Sequence, residues 1–278
     1  MKGELYIDGV DVYTTYGVSL ANVAYEDVVC LPHLKPVPYN DWHEKNGIDP
    51  DLSSPVLDAK TITIPFHVIG AHGCITDFVL AFANTSYHSF NFAAIGLTKD
   101  LRLVSCGDLR SIGNLTSFTL TFSDDAPMKD YVYAAPSSDI SRLGDYLLDG
   151  RDFADYGIRI LGGTMASIKK APAVKENLKR EISVSTGVIY DGEIVTYKSR
   201  TAHLKCFMRA SNPAEFWRNR NALVNDLSKP GERILTVSEL GKEIPCFYKD
   251  CSVNSFFPDM GKYWFEFTLG LEFFKGVI

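Results

Sequence analysis

One motif occurs twice in this chain. Near the start stands Tyr6-Ile7-Asp8-Gly9-Val10-Asp11, followed by Tyr16-Gly17-Val18. Past the midpoint stands Leu147-Leu148-Asp149-Gly150-Arg151-Asp152, followed by Tyr156-Gly157-Ile158. Both read as an apolar pair, Asp-Gly, any residue, Asp, a short gap, then Tyr-Gly and a β-branched residue. The Asp-Gly steps lie 141 residues apart and the Tyr-Gly steps 140 apart. Such a repeat restricts the fold more than any single motif, because the same unit must form from two different sequences. Asp-Gly between apolar runs signals a tight turn, since glycine accepts positive φ. Each half is therefore expected to open with a short strand, a turn and a second strand.

Later elements keep the same order. A stretch bearing Lys and Pro comes next, Leu34-Lys35-Pro36 in the first half and Lys169-Lys170-Ala171-Pro172 in the second. Period-two alternation over 61–68 and again over 200–208 predicts half-buried strands. Ile75, Phe78, Val79 and Phe82 then follow the i, i+3, i+4, i+7 spacing of a helix. In the second half Asn212-Pro213-Ala214-Glu215 is a helix start, with Asn as cap, Pro first and Glu third. Phe216, Leu223, Val224 and Leu227 share a face of that helix, and Pro230-Gly231 is the expected stop. Strand-like runs close each half, at 101–106 and 117–122, then at 244–248 and 263–269.

Five recurring elements predict a mainly β (α+β) chain of two tandem β-sandwich or small-barrel units, each with one flanking helix. The 278 residues are room for two such domains. The expected boundaries are 1–133 and 145–278. Residues 134–144 form the linker, where Ala134-Ala135-Pro136-Ser137-Ser138 is small, polar and Pro-containing. The alternative is one large β-sandwich with accidental internal similarity.

The halves differ in their excursions. Residues 39–55 of the first are long, turn-rich and acidic. Residues 174–195 of the second contain an alternating run, 181–190, that predicts an extended hairpin arm. Long excursions from a compact β unit are usually functional or inter-subunit elements. The candidate contact residues are Tyr39, Trp42, Glu44, Asn46 and Asp51 on the first, and Lys179, Glu181 and Tyr190 on the second.

Catalytic signatures are missing. There is no Gly-x-Ser-x-Gly elbow, no Walker motif and no dinucleotide fingerprint. His67 and His203 fall on the equivalent alternating strands, as ordinary strand residues do. Asp49 with Asp51, and Asp124 with Asp125, read as solvated turns rather than a glycosidase pair. The loop 41–58 is dense in oxygen ligands that would suit calcium, although its spacing is not an EF-hand. Of the six cysteines, the closest pair is Cys246 and Cys251, with four residues between, which is not a zinc or redox spacing. The expectation is no enzyme, no cofactor and no metal. A net charge of −6 also argues against wrapping nucleic acid from outside. The apolar runs are far short of the roughly 20 residues that span a bilayer. Met1-Lys2-Gly3-Glu4 leads straight into a strand-like segment, so an intracellular protein without a signal peptide is expected.

The run 7–18, from Ile7-Asp8-Gly9 to Tyr16-Gly17-Val18, resembles the start of distal tail and related baseplate proteins of long-tailed bacteriophages and prophages. The stretch 42–57, with Asn46-Gly47 and Leu52-Ser53-Ser54-Pro55-Val56-Leu57, is similar to prophage tail proteins of gut bacteria. This resemblance implies a tail-tube-like fold: a β-sandwich or small barrel with one helix and a long loop reaching a neighbour. It implies rings around a channel through which DNA passes. Three duplicated chains would imitate a hexamer. The implied partners are the chain itself, in a trimeric or hexameric ring, and other tail proteins (tube, hub, tape-measure, fibre). DNA would be met only in transit. The implied location is the virion tail, after assembly in the host cytoplasm. An evident carbohydrate-binding-like second domain is lacking, which leaves distal tail and hub roles both open. The rival reading is a carbohydrate- or surface-binding β-sandwich module, using exposed aromatics such as Trp42.

Overall fold

Both Asp-Gly steps make the turn their residues favour. Asp8 (φ 52°) and Gly9 (φ 80°), like Asp149 (φ 50°) and Gly150 (φ 78°), take positive φ at both central positions. That is the hairpin turn whose twist matches the flanking strands. The computed structural model describes residues 2–21, 25–70, 73–83, 85–177, 179–184, 186–190, 192, 194–259 and 262–276. His72 and Ser185 lie outside them, as does the side chain of Cys74.

In the first half the turn joins β1 (Leu5–Ile7) to β2 (Val10–Asp11). The second strand stops after two residues because Asp11 caps a helical turn, α1 (Val12–Tyr16), through Tyr13 N–H and Thr14 N–H. Gly17, at φ 68°, closes that turn. The second half repeats the device: Asp152 accepts from Ala154 N–H, and a 3₁₀ turn over Phe153–Tyr156 ends at Gly157, φ 75°. Even the outer contacts repeat, since Gly3 N–H donates to Asp11 as Gly144 N–H donates to Asp152.

The first half continues with β3 (Val18–Leu20), α2 (Glu26–Val29), the short pair β4 (Tyr39–Asn40) and β5 (Asp49–Pro50), β6 (Lys60–Ile69), α3 (Gly73–Leu80), β7 (His88–Phe92), β8 (Leu97–Cys106), β9 (Arg110–Ile112) and β10 (Leu115–Asp124). The second contains β11 (Tyr146–Leu148), β12 (Arg151–Asp152), β13 (Ile158–Ile160), α4 (Thr164–Lys169), β14 (Lys179–Glu181), β15 (Val188–Tyr190), β16 (Arg200–Ala210), α5 (Pro213–Leu227), β17 (Arg233–Val237), β18 (Lys242–Asp259) and β19 (Lys262–Phe273). The chain is thus mainly antiparallel β. One sheet runs β2-β1-β7-β8-β10-β6-β3, with β9 added on β10; the other runs β12-β11-β17-β18-β19-β16-β13. Numbering each path's strands in chain order gives 2-1-5-6-7-4-3 both times.

Alternation decides which faces are buried. Ile62, Ile64, Phe66 and Val68 point inward from β6, and Phe118, Leu120 and Phe122 from β10. Phe78 of α3 sits against Phe66 at 5.3 Å. In the second half Phe216 of α5 packs on Phe265 at 5.8 Å and on Tyr263 at 5.7 Å. The predicted α5 start is present in detail: Asn212 Oδ1 accepts from Glu215 N–H, while the Glu215 carboxylate accepts from Ser211 N–H. The first-half helix is shorter than its apolar spacing suggests, and Phe82 lies on a 3₁₀ turn beyond it.

The two sheets share one continuous buried core. Tyr25 touches Phe92 and Phe256 edge-on, at 6.2 and 6.4 Å, linking the halves. The turn Ala93–Ile95 docks on the second half, where Trp217 Nε1–H donates to Ile95 O (2.7 Å) and Tyr263 O–H to Ala94 O (2.8 Å).

Asp152→Ala removes a cap at a buried turn and should cost about 1–2 kcal/mol, read as a lower urea midpoint with unchanged slope. A second test concerns acid. Arg102 grips Asp125 with two hydrogen bonds (2.7 and 2.9 Å), and Ser123 and Tyr87 add two more. Those donors, Arg102 first, hold the Asp125 carboxyl well below the usual carboxylate range. The unfolded chain therefore takes up this proton first. The stabilisation is present above about pH 5 and is lost as the pH falls through about 4 and below. Urea midpoints should fall over that window, and Asp125→Asn should flatten the fall.

Candidate functional site

The first excursion folds back on its own chain. β4 and β5 pair as Tyr39↔Pro50 and Asn40↔Asp49, which closes a small loop. Lys175 of the second half, only 5% exposed, pushes its ammonium into that loop. Asp41 Oδ1 and Gly47 O accept from it at 2.5 Å, and Trp42 O and Lys45 O at 2.8 Å. Four oxygens around three N–H donors saturate the cation, so at least one bond is shared. The oxygen-dense loop that suits calcium by composition thus closes on a cation belonging to the chain itself. Among the described residues no cluster of three or more His, Cys, Asp or Glu could hold a metal.

Further bonds seat the loop. Asn46 Oδ1 accepts from Tyr197 N–H at 2.9 Å, and Thr196 O–H donates to His43 O at 2.7 Å. Gly47 N–H donates to Tyr197 O, and Ile48 N–H to Phe274 O. Gly47 has φ 70°, and a Cβ there would lie 1.7 Å from Phe274 O, so only glycine fits. Of the predicted residues, Asn46 faces its own chain. Tyr39 (59% exposed) and Trp42 (50%) face outward, as do Glu44 and Asp51. Asp51 is engaged locally, accepting from Ser53 N–H.

The second excursion rises from the same place. Lys175 N–H donates to Thr196 O, and Val174 bridges to Tyr197, which ties the base of this arm. Beyond it β14 and β15 form a two-stranded ribbon with Lys179↔Tyr190 and Glu181↔Val188 in register. Lys179 and Glu181 form an ion pair at 2.8 Å, and Tyr190 Oη accepts from Asn177 N–H. All six strand residues are exposed, and Val184 is 93% exposed. A lone two-stranded ribbon is only marginally stable in water. Among the described residues β14 and β15 pair only with each other, and their outer edges and apolar side chains are what a third strand or an apolar surface could cover.

One exposed element escapes the sequence reading. Leu115 stands opposite both Ile69 and Ile112 in the register, and these residues are 39%, 69% and 82% exposed. They form an apolar tip on the first sheet. The local signal is Ile112-Gly113-Asn114-Leu115, a Gly-Asn turn flanked by apolar residues. Lys175 carried no such signal, since its partners lie about 130 residues away.

No family model matches the chain, and no curated protein does. Among solved structures the chain is similar to the Dit (gp 19.1) protein of SPP1, described as a paradigm of the hub adsorption apparatus in phages infecting Gram-positive hosts. The identity is 16% and the TM-score 0.34, over 46% of this chain and 48% of that one. The matched region thus spans about half the length of that protein. No described helix is long and apolar enough to cross a membrane.

Two substitutions test the seating of the first excursion. Lys175→Met strands buried carbonyls and should cost about 2–4 kcal/mol in urea unfolding. Gly47→Ala should open the loop, so that limited proteolysis cuts between residues 41 and 47 while the rest of the chain stays resistant.

Proposed function

We propose that this chain is a structural, non-enzymatic protein of a phage or prophage tail, forming a ring around the DNA channel as a distal tail or baseplate hub component. The observation that carries this reading is the seven-strand order 2-1-5-6-7-4-3 built twice in one chain. On this reading residues 1–133 and 145–278 are tail-tube-like units joined by 134–144, and three chains supply six units. The opening run 7–18 adds the family resemblance.

Each half also carries a projection suited to a neighbouring subunit: the tip of Ile69, Ile112 and Leu115, and the ribbon of β14 and β15. Edge strands recruit strands, and exposed apolar clusters recruit apolar surfaces. The partners are further copies of the chain and the adjoining tube, hub, tape-measure and fibre proteins. DNA meets the lumen only in passage, and a net charge of −6 would let it slide without sticking. The site of action is the virion tail, with assembly in the host cytoplasm.

Light scattering and negative-stain imaging test this directly. A mass of three or six chains with ring-shaped particles is expected. Replacing residues 179–190 by a short Gly-Ser turn should release smaller species while leaving the melting temperature nearly unchanged. A protein that stays monomeric at every concentration, alone and with its neighbouring tail proteins, would overturn the reading.

A further inference from the structure

Cys30, at the end of α2, lies where the two halves meet. Its carbonyl accepts from Lys60 Nζ at 2.7 Å and from Arg220 Nη2 at 2.5 Å. The same cations also bind Val28 O (2.8 Å) and Val29 O (3.0 Å). No described carboxylate pairs with either cation, although Asp27 and Asp124 lie near enough for Lys60 to sense their charge. The Cys30 side chain therefore sits beside two cationic side chains, Arg220 buried and Lys60 half-buried.

A second cysteine faces it. Cys30 Sγ lies 3.4 Å from Cys251 O, and its sulfur is within hydrogen-bonding reach of the Cys251 side chain and of His33. The backbone N–H of Leu31, the residue after Cys30, also acts on the Cys251 sulfur. Cys30, His33, Cys251 and Lys60 line one open cleft of about 520 Å³, to which Glu26, Asp27 and Asp58 also contribute. Hydrogen bonding to Cys251, then to His33, and the charges of Lys60 and Arg220 hold the Cys30 thiol below its ordinary range. His33 moves up, through its bond to Cys30, with the charge of Asp250 adding to the shift, and Cys251 moves up through its bond to Cys30 and its burial. Cys30 is thus the sulfur primed to attack, and Cys251, kept protonated beside it, is the thiol whose position lets it resolve.

We propose that Cys30 and Cys251 form a reversible disulfide that staples the two halves of the chain, with Cys30 as the attacking sulfur and a low-molecular-weight disulfide as the oxidant. The Cys30 thiolate attacks the oxidant's S–S bond, which breaks, giving a mixed disulfide and one free thiolate. That thiolate takes the Cys251 proton. The Cys251 sulfur then attacks Cys30 Sγ, forming the protein disulfide and expelling the second small thiol. Two protein thiols are oxidised, and one small disulfide is reduced to two thiols. The bond would join positions 221 residues apart that no sequence spacing brings together. The staple does not depend on any role in a tail.

Peptide mapping of the folded protein tests this, with the exposed Cys106 as internal standard. At pH 6, brief iodoacetamide treatment should modify Cys30 at least about 10-fold faster than Cys106. Glutathione disulfide should yield a linked peptide pair, 30 with 251, lighter by two hydrogens and restored by dithiothreitol. Cys251→Ser should keep the fast alkylation but stop at a Cys30–glutathione adduct. Alkylation of Cys30 no faster than that of Cys106, or oxidation with no linked 30–251 pair, would overturn the proposal. The wild-type map decides the matter even if the substitution at buried Cys251 impairs folding.

Discussion

Arg220 carries a full positive charge at 6% exposure, and backbone carbonyls rather than a carboxylate receive it. A charge out of water is tolerated only where its donors are met. Here the acceptors are the last carbonyls of α2, a helix end where cations are favoured. Lys60 uses the same site from the first half, and burial pushes its ammonium down to about 7. The position of α5 against α2 is set by this arrangement, because a small shift would leave donors and carbonyls unmet. The shared core, the Ile95 contact of Trp217 and the Cys30–Cys251 approach all depend on that position.

The same economy governs the first excursion. Lys175 supplies from the second half the cation that the first half's loop surrounds. The two excursions are therefore joined at their bases, and only their outer parts remain available. Tyr39 and Trp42 stand on a loop held by four oxygens, whereas β14 and β15 stand on a ribbon that the described contacts tie at its root. A rigid surface and a free ribbon suit different neighbours, which agrees with two halves that share a topology but not a surface.

The two sheets share a strand order but not the lengths of their elements. β18 runs 18 residues where its counterpart β8 has 10, and α5 has 15 where α3 has 8. The strong cap at Asn212 and the regular apolar face explain the longer helix. In the first half the apolar periodicity gives way to a 3₁₀ turn over Ala81–Ala83.

Short-range physics was legible in the chain itself. Asp8-Gly9 and Asp149-Gly150 specify their turns, Asn212 specifies its cap, and alternation specifies which faces of β6 and β16 are buried, because each depends on residues a few positions apart. The helical turns after Asp11 and Asp152 read as strand in the sequence alone. An Asp can end a strand by capping a helical turn, and only the backbone decides between the two. The rest required tertiary structure. That Lys175 fills the loop at Asp41, that Arg220 ends on Cys30, and that Cys251 faces Cys30 are all consequences of strand register and sheet order. They bring together residues more than a hundred positions apart, and no local spacing encodes such distances.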